Sequence, residues 1–328
     1  MAAFVHLMDS LLPFRKESKG PAAGVPLKVG LVFSSGGAKG LAHIGVIQVL
    51  EENGVEVSCV CGTSMGAYVG GLWAAGHHGK ELEALAASMT SKHDLWKLVD
   101  PVFPPRRGFI RGQKILSRLR LSLGERRFDD LEKPFAAVAT RLDTLERVVL
   151  REGEVASAIL SSLAVPGIVE PVKRGGYEYI DGGVSDPLPT RLAREMWNVD
   201  LVIAVNVLPP VGTIRNATEL PREHSGWKRV MRRVNREINY FAVGNLFDIL
   251  RGAAMGAQMR LVERSARHAD VLISAISPQS GWHDYHRYKD YIQLGRTAAL
   301  EALPRIESLI SADGAAGKTN PNPIDIAS

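Results

Sequence analysis

Two short apolar runs, each ending in a glycine loop that opens a helical pattern, follow one another near the start of the chain. Lys28–Phe33 (KVGLVF) leads into a glycine cluster and then into Leu41–Glu52, a helical stretch closed by Asn53-Gly54. Val57–Cys61 leads into a second glycine loop and then into Met65–Ala75, rich in small residues and suited to tight packing. Strand, helix, strand, helix is the order of a parallel sheet with helices on its faces.

The alternation continues. Lys80–Met89, Lys114–Leu121, Val155–Leu163 and Leu188–Met196 read as helices. Phe135–Thr140, Leu145–Leu150, Tyr177–Ile180, Leu201–Val207 and Val271–Ile276 read as strands, with a turn around Asp143. A helical region from about Arg236 to Arg267 and a last helix over Tyr288–Ile310 complete the pattern. No internal repeat is present. Two proline-containing basic stretches, Pro101–Arg120 and Pro209–Arg236, read as insertions. Each suits either a solvated face, or else a lid or a contact with lipid headgroups.

The 328 residues, 45% hydrophobic and 23% charged, are enough for a sizeable core. The domain reading is an amphipathic segment and linker over 1–24, a main domain over 25–312 and a disordered tail over 313–328. In the first segment Phe4, Leu7, Met8 and Leu11 share a helical face, and Arg15, Lys16 and Lys19 follow Pro13. That arrangement suits reversible contact with a membrane surface, or packing on the protein's own body. The formal charge of +5 favours an anionic surface or acidic substrate and is too mild for a nucleic-acid partner. Cys59 and Cys61 lie two apart in a strand and read as buried, not as a disulfide framework, which fits a reducing compartment. With no signal peptide and no spanning apolar run in the sequence, the expected location is cytoplasmic, with peripheral contact to a membrane as the other option. The oligomeric state is left open.

Three motifs carry chemistry. Gly62-Thr63-Ser64-Met65-Gly66 fits G-x-S-x-G between a strand and a helix, the setting of a nucleophile elbow. Ser35-Gly36-Gly37-Ala38-Lys39-Gly40 presents backbone N–H groups at a helix start, an anion site. Asp181-Gly182-Gly183 puts a carboxylate at the end of a strand, although Asp-Gly is also an ordinary turn. A dinucleotide fingerprint fits the first loop poorly, because Ser35 stands where a glycine is needed. A Walker loop fits worse, since Gly40 follows Lys39.

Together these motifs resemble the patatin-like phospholipase family, and the chain looks most similar to its short bacterial members. The match is G-G-x-K-G at 36–40, G-T-S-M-G at 62–66 and D-G-G at 181–183, supported by LAHIGVIQVL at 41–50, GFIRGQKI at 108–115, AVPG at 164–167 and DPLP at 186–189. The resemblance implies an α/β fold, a three-layer α/β/α sandwich around a mainly parallel sheet. It implies a serine lipid acyl hydrolase with Ser64 as nucleophile, Asp181 as base, and the backbone of Gly36, Gly37, Ala38 and Lys39 as oxyanion hole. Gly40, Gly62, Gly66, Gly182 and Gly183 would be motif glycines, the substrate a lipid or acyl ester, and no metal or cofactor would be needed. One departure stands out: Ser34 and Ser35 occupy a position where the family often has another glycine, and a backbone there needing φ > 0 would displace the loop. The departure and the basic insertions motivate an alternative, a catalytically weak regulator or membrane-associated binding protein. Among the nine histidines, His43 reads as a core residue, and none has the setting of a triad member.

Overall fold

A computed structural model describes residues 27–90, 92–212, 246–277 and 284–316. The amphipathic segment 1–24, most of the basic stretch 209–236, the expected helix start near Arg236 and the tail from 317 on lie outside the described residues.

The chain opens with β1 (Val29–Phe33), a short 3-10 turn over Gly37–Leu41, α1 (Ala42–Glu52), β2 (Cys59–Thr63) and α2 (Met65–Ala74). Then come α3 (Gly79–Ala87), α4 (Lys92–Lys97), β3 (Gly108–Ile110), α5 (Gln113–Leu123), β4 (Phe135–Arg141), β5 (Arg147–Leu150) and α6 (Val155–Leu163). The second half holds β6 (Gly167–Val169), β7 (Val172–Arg174), β8 (Tyr177–Asp181), α7 (Thr190–Trp197), β9 (Leu201–Asn206), α8 (Leu246–Ala266), β10 (Val271–Ser274) and α9 (Tyr288–Ala316).

The main sheet runs β10-β9-β1-β2-β4-β8-β7, with β5 also paired to β4. From β10 to β4 every pairing is parallel, whereas β4–β5, β4–β8 and β8–β7 are antiparallel. Side chains alternate across it as a pleated strand requires. Val29, Leu31 and Phe33 of β1, with Ile203 and Val205 of β9, face one core that includes α1, α2, α6 and α9. Val32, Cys59, Cys61, Val202 and Ala204 face the other, with Leu192 and Ala193 of α7 and Val262 of α8. This is the three-layer α/β/α architecture, and both cysteines are free thiols buried in the second core.

Several boundaries differ from those read in the sequence. Pro101–Arg120 is not a bare insertion. Pro101 bridges Ile110, β3 pairs with β6, and α5 buries Leu119 and Leu123 in the core. The strand expected from Leu145 starts at Arg147, because Leu145 takes φ 58° in the turn. The last helix runs six residues beyond Ile310, through Ser311, Ala312, Asp313, Gly314, Ala315 and Ala316, and so enters the expected tail.

Helices α1 and α9 touch backbone to backbone at two glycines. A methyl on Gly45 would meet the Ile292 carbonyl oxygen and come within 2.7 Å of Arg296 N, and one on Gly295 would meet the Ala42 carbonyl. Neither helix can yield without moving as a unit. Gly45→Ala is therefore expected to lower the unfolding free energy by about 2–3 kcal/mol, read by urea denaturation. A loss below about 0.5 kcal/mol, the level of an innocuous surface change, would show that the contact is slack.

Candidate active site

The site lies at the C-terminal edge of the parallel strands. Ser64 directly follows β2 and caps α2 with φ 55° and ψ −121°, a conformation costly for a residue with a Cβ. Its neighbours make the turn possible. A methyl on Gly66 would sit 2.5 Å from the Phe33 carbonyl oxygen, and one on Gly62 would run into the backbone of Gly66. The Ser64 N–H donates to Ser162 Oγ at 2.8 Å, and that hydroxyl in turn donates to the Val138 carbonyl at 2.5 Å.

Asp181 ends β8, opposite Ala139 of β4. Ser64 Oγ donates to Asp181 Oδ2 at 2.6 Å, across 117 residues of sequence. The other carboxylate oxygen accepts the Gly183 N–H at 2.7 Å. The Asp181 backbone is held on both sides: its N–H donates to the Ala164 carbonyl and its carbonyl accepts from Thr140 Oγ1. Thr63 Oγ1 donates to the Asp186 carbonyl at 2.8 Å, tying the serine turn to the loop after Asp181. Asp181 is only 4% exposed. Burial lifts its carboxyl to about 6, against the hydrogen bonds from Ser64 and Gly183, which pull it down.

The first glycine loop arches beside this pair. Gly40 abuts Met65, and a methyl on Gly183 would lie 3.3 Å from Ser35 Oγ and 2.8 Å from Gln258 Nε2 of α8. The left-handed backbone falls on Gly37 at φ 57°, whereas Gly36, at φ 167°, is extended. Neither Ser34 nor Ser35 has a positive φ. The Ser34 hydroxyl instead accepts the Val207 N–H at 3.1 Å, and the Ser34 N–H donates to the Val205 carbonyl, extending the β1–β9 ladder by one residue. The Ser35 N–H donates to the Pro187 carbonyl at 2.8 Å. The two serines thus brace the loop at no backbone cost.

His43 lies beneath the loop. Its Nε2 is 2.9 Å from the Ser34 carbonyl, which only accepts, so Nε2 carries the proton. Burial presses its pKa down to about 4, with the Ser34 contact a partial offset. The ring is neutral near pH 7, packs against Phe33, and is already committed to Ser34. His77 contacts the Ser122 carbonyl and His78 heads α3, so neither belongs to the serine turn. Among the described residues, no group of His, Cys, Asp and Glu side chains is arranged to hold a metal ion.

The structure therefore brings Ser64, Asp181 and all three motif loops to one edge. Sequence reasoning missed Ser162 and Gln258. Ser162 sits in a run of small residues on α6, and no local pattern marks its hydroxyl as the acceptor for Ser64.

A family model described as patatin-like phospholipase matches residues 31–194, the stretch that holds both loops and the Ser64–Asp181 contact. The chain belongs to the patatin-like phospholipase family. Within that family, an uncharacterized NTE family protein of Mycobacterium tuberculosis is 37% identical over 223 residues, covering 67% of this chain and 60% of the relative. Lysophospholipase NTE1 of Mycosarcoma maydis is 30% identical over 288 residues, covering 84% of this chain and 15% of the relative. The chain thus spans less than two thirds of the length of these relatives. Among solved structures, VipD from Legionella pneumophila overlays with a TM-score of 0.46 at 14% identity, covering 91% of this chain and 73% of that one. The family assignment stands on the sequence match.

Proposed function

We propose that this protein is a serine lipid acyl hydrolase of the phospholipase A, lysophospholipase or esterase type, acting through a Ser–Asp dyad. The carrying observation is the 2.6 Å contact between Ser64 Oγ, on its strained turn, and the buried carboxylate of Asp181. Ser64 Oγ attacks the ester carbonyl carbon while its proton passes to Asp181 Oδ2. The oxyanion is held by backbone N–H groups of Gly36, Gly37, Ala38 and Lys39. The carbonyl re-forms, the alcohol leaves with the proton from Asp181, and an acyl-enzyme remains on Ser64. Water, deprotonated by Asp181, then attacks the acyl carbon and releases the fatty acid.

An ordinary carboxylate near pKa 4 is a weak base for a serine hydroxyl. Raising it to about 6 brings it closer to the working pH and makes the transfer less uphill. The family match and the lysophospholipase name of one relative support a lipid ester as substrate. We assign this chemistry to a hydrolase domain over about 25–312, acting peripherally at lipid surfaces. No described helix is long and apolar enough to cross a membrane. Ser34 and Ser35 have no positive φ, so the loop carries none of the backbone strain that was one motive for a catalytically weak regulator.

A fluorescent fluorophosphonate tests the reading. The expected adduct is on the Ser64 peptide, located by mass spectrometry, and absent from a folded Ser64→Ala variant. A folded parent chain that takes no label would overturn the proposal.

A further inference from the structure

Residues 101–110 form a small hairpin that projects from the domain with its tip bare. Pro101 bridges Ile110, and the Val102 N–H donates to the Phe109 carbonyl. The tip residues Phe103, Pro104, Pro105 and Arg106 are all exposed, Phe103 to 96%. Trp96, just upstream, is 68% exposed, and Phe109 is 40% exposed. Scattered apolar side chains on a surface are ordinary, but three large aromatics within fourteen residues are not.

The base of the hairpin is fixed. Gly108 and Ile110 pair with Gly167 and Val169 of β6, and Arg107 grips Glu178 with two hydrogen bonds of 2.7 and 2.8 Å. The Asp100 carboxylate is occupied in accepting the N–H groups of Gly112 and Gln113 at the start of α5. An aromatic side chain held out on a braced hairpin does not fold back onto the protein.

The hairpin is also anchored on the side of the sheet edge that carries the Ser64–Asp181 pair. Strand β4 runs parallel to β2, with Val138 level with Thr63, so Arg141 lies three residues past the level of the serine turn. Tyr179 of β8 pairs with Arg141, and Glu178 follows it outward. Arg107 therefore anchors the hairpin beyond the edge of the sheet that carries Ser64 and Asp181.

Charge identifies the occupant. Residues 96–120 hold seven basic residues and one acidic residue; Lys97, Arg107 and Arg120 pair with Asp94, Glu178 and Glu154, and Arg106, Arg111, Lys114 and Arg118 form no ion pair among the described residues. The one acidic side chain is the helix-capping Asp100, and Arg106 at the tip forms no ion pair among the described residues. Exposed aromatics among cations match an interface of acyl chains under anionic headgroups.

We propose that the 101–110 hairpin is a lipid-surface anchor, inserting Phe103 between acyl chains of an anionic membrane while Arg106 meets the headgroups, so that the Ser64 edge faces the lipid. This rests on the hydrolase reading for its purpose but not for its test. Vesicle sedimentation is measured on the full chain in a Ser64→Ala background, where turnover plays no part. Vesicles are pure phosphatidylcholine, or equal parts phosphatidylcholine and phosphatidylglycerol.

Preference for the mixed vesicles is expected. Phe103→Ser should lower partitioning onto them about tenfold, and Phe103→Trp should restore it. Arg106→Ser should lower it about fivefold on mixed vesicles and leave pure phosphatidylcholine unaffected. With Ser64 intact, none of these tip variants should change fluorophosphonate labelling, so failure of the anchor and failure of the hydrolase reading are separate results. Equal vesicle binding by the parent, Phe103→Ser and Arg106→Ser forms would overturn the anchor. A Phe103→Ser change that disrupted self-association, with vesicle binding unaltered, would assign the tip to a second copy of the chain and also overturn it.

Discussion

Asp181→Asn is expected to lower acyl-ester turnover by about 10²–10⁴-fold while making the protein more stable above neutral pH. The substitution keeps the shape of the side chain. Asn Oδ1 can still accept the Gly183 N–H, and Nδ2 still fits beside Ser64 Oγ. What is lost is the acceptor for the serine proton, so kcat should fall with little change in KM. In the parent chain kcat/KM should rise about tenfold per pH unit below about 6 and level off above it, as the carboxylate ionises. Stability has the opposite dependence. The folded-state pKa is raised above the usual 3.8, so protonated Asp181 favours the fold. That contribution is complete below about pH 4 and is lost as pH rises through 6. Raising the carboxyl from 3.8 to about 6 corresponds to about 3 kcal/mol. Asparagine does not titrate. The unfolding free energy of the variant minus that of the parent should therefore grow by about this amount between pH 4 and pH 8. Urea denaturation across that range reads it directly. A flat difference would mean that Asp181 is solvated in the folded protein and is not tuned as a base.

The parts of this site legible in the sequence are those whose chemistry is local. The runs that become β1 and β9 are buried on both faces, so their continuous apolar character marks them without any partner in view. The glycines at 62 and 66 announce a close backbone approach, and that approach exists. Elements of three residues, such as β3, β6 and β7, are too short to show a period, which is why Pro101–Arg120 read as an insertion. Contacts between distant positions left no local mark either. Ser162 meets Ser64 across 98 residues and Arg107 meets Glu178 across 71. The concern over Ser34 and Ser35 arose from counting glycines. The positive φ the loop needs falls on Gly37, and Ser34 supplies a hydrogen bond that glycine could not.

Gly66→Ala is expected to cost about 3–5 kcal/mol of stability, at the severe end for a single methyl. The added carbon would stand 2.5 Å from the Phe33 carbonyl oxygen and 2.6 Å from that of Ser34. Both acceptors are backbone, and neither can turn aside. The Ser34 carbonyl is held by His43, and the Ser34 N–H by the Val205 carbonyl. Relief requires α2 to lift away from β1. Ser64 caps that helix and the glycine loop continues that strand, so the same movement separates the nucleophile from the proposed oxyanion donors. Fluorophosphonate labelling should then be lost even in the fraction that remains folded. Gly54→Ala is the matched control. Gly54 has φ 64° with nothing within 4 Å of a new methyl, so its cost should be the left-handed backbone penalty alone, about 1–2 kcal/mol. Urea denaturation of the two variants separates steric overlap from backbone strain. If Gly66→Ala cost no more than Gly54→Ala and still took the label, the close approach of the serine turn to β1 would not be what shapes this site.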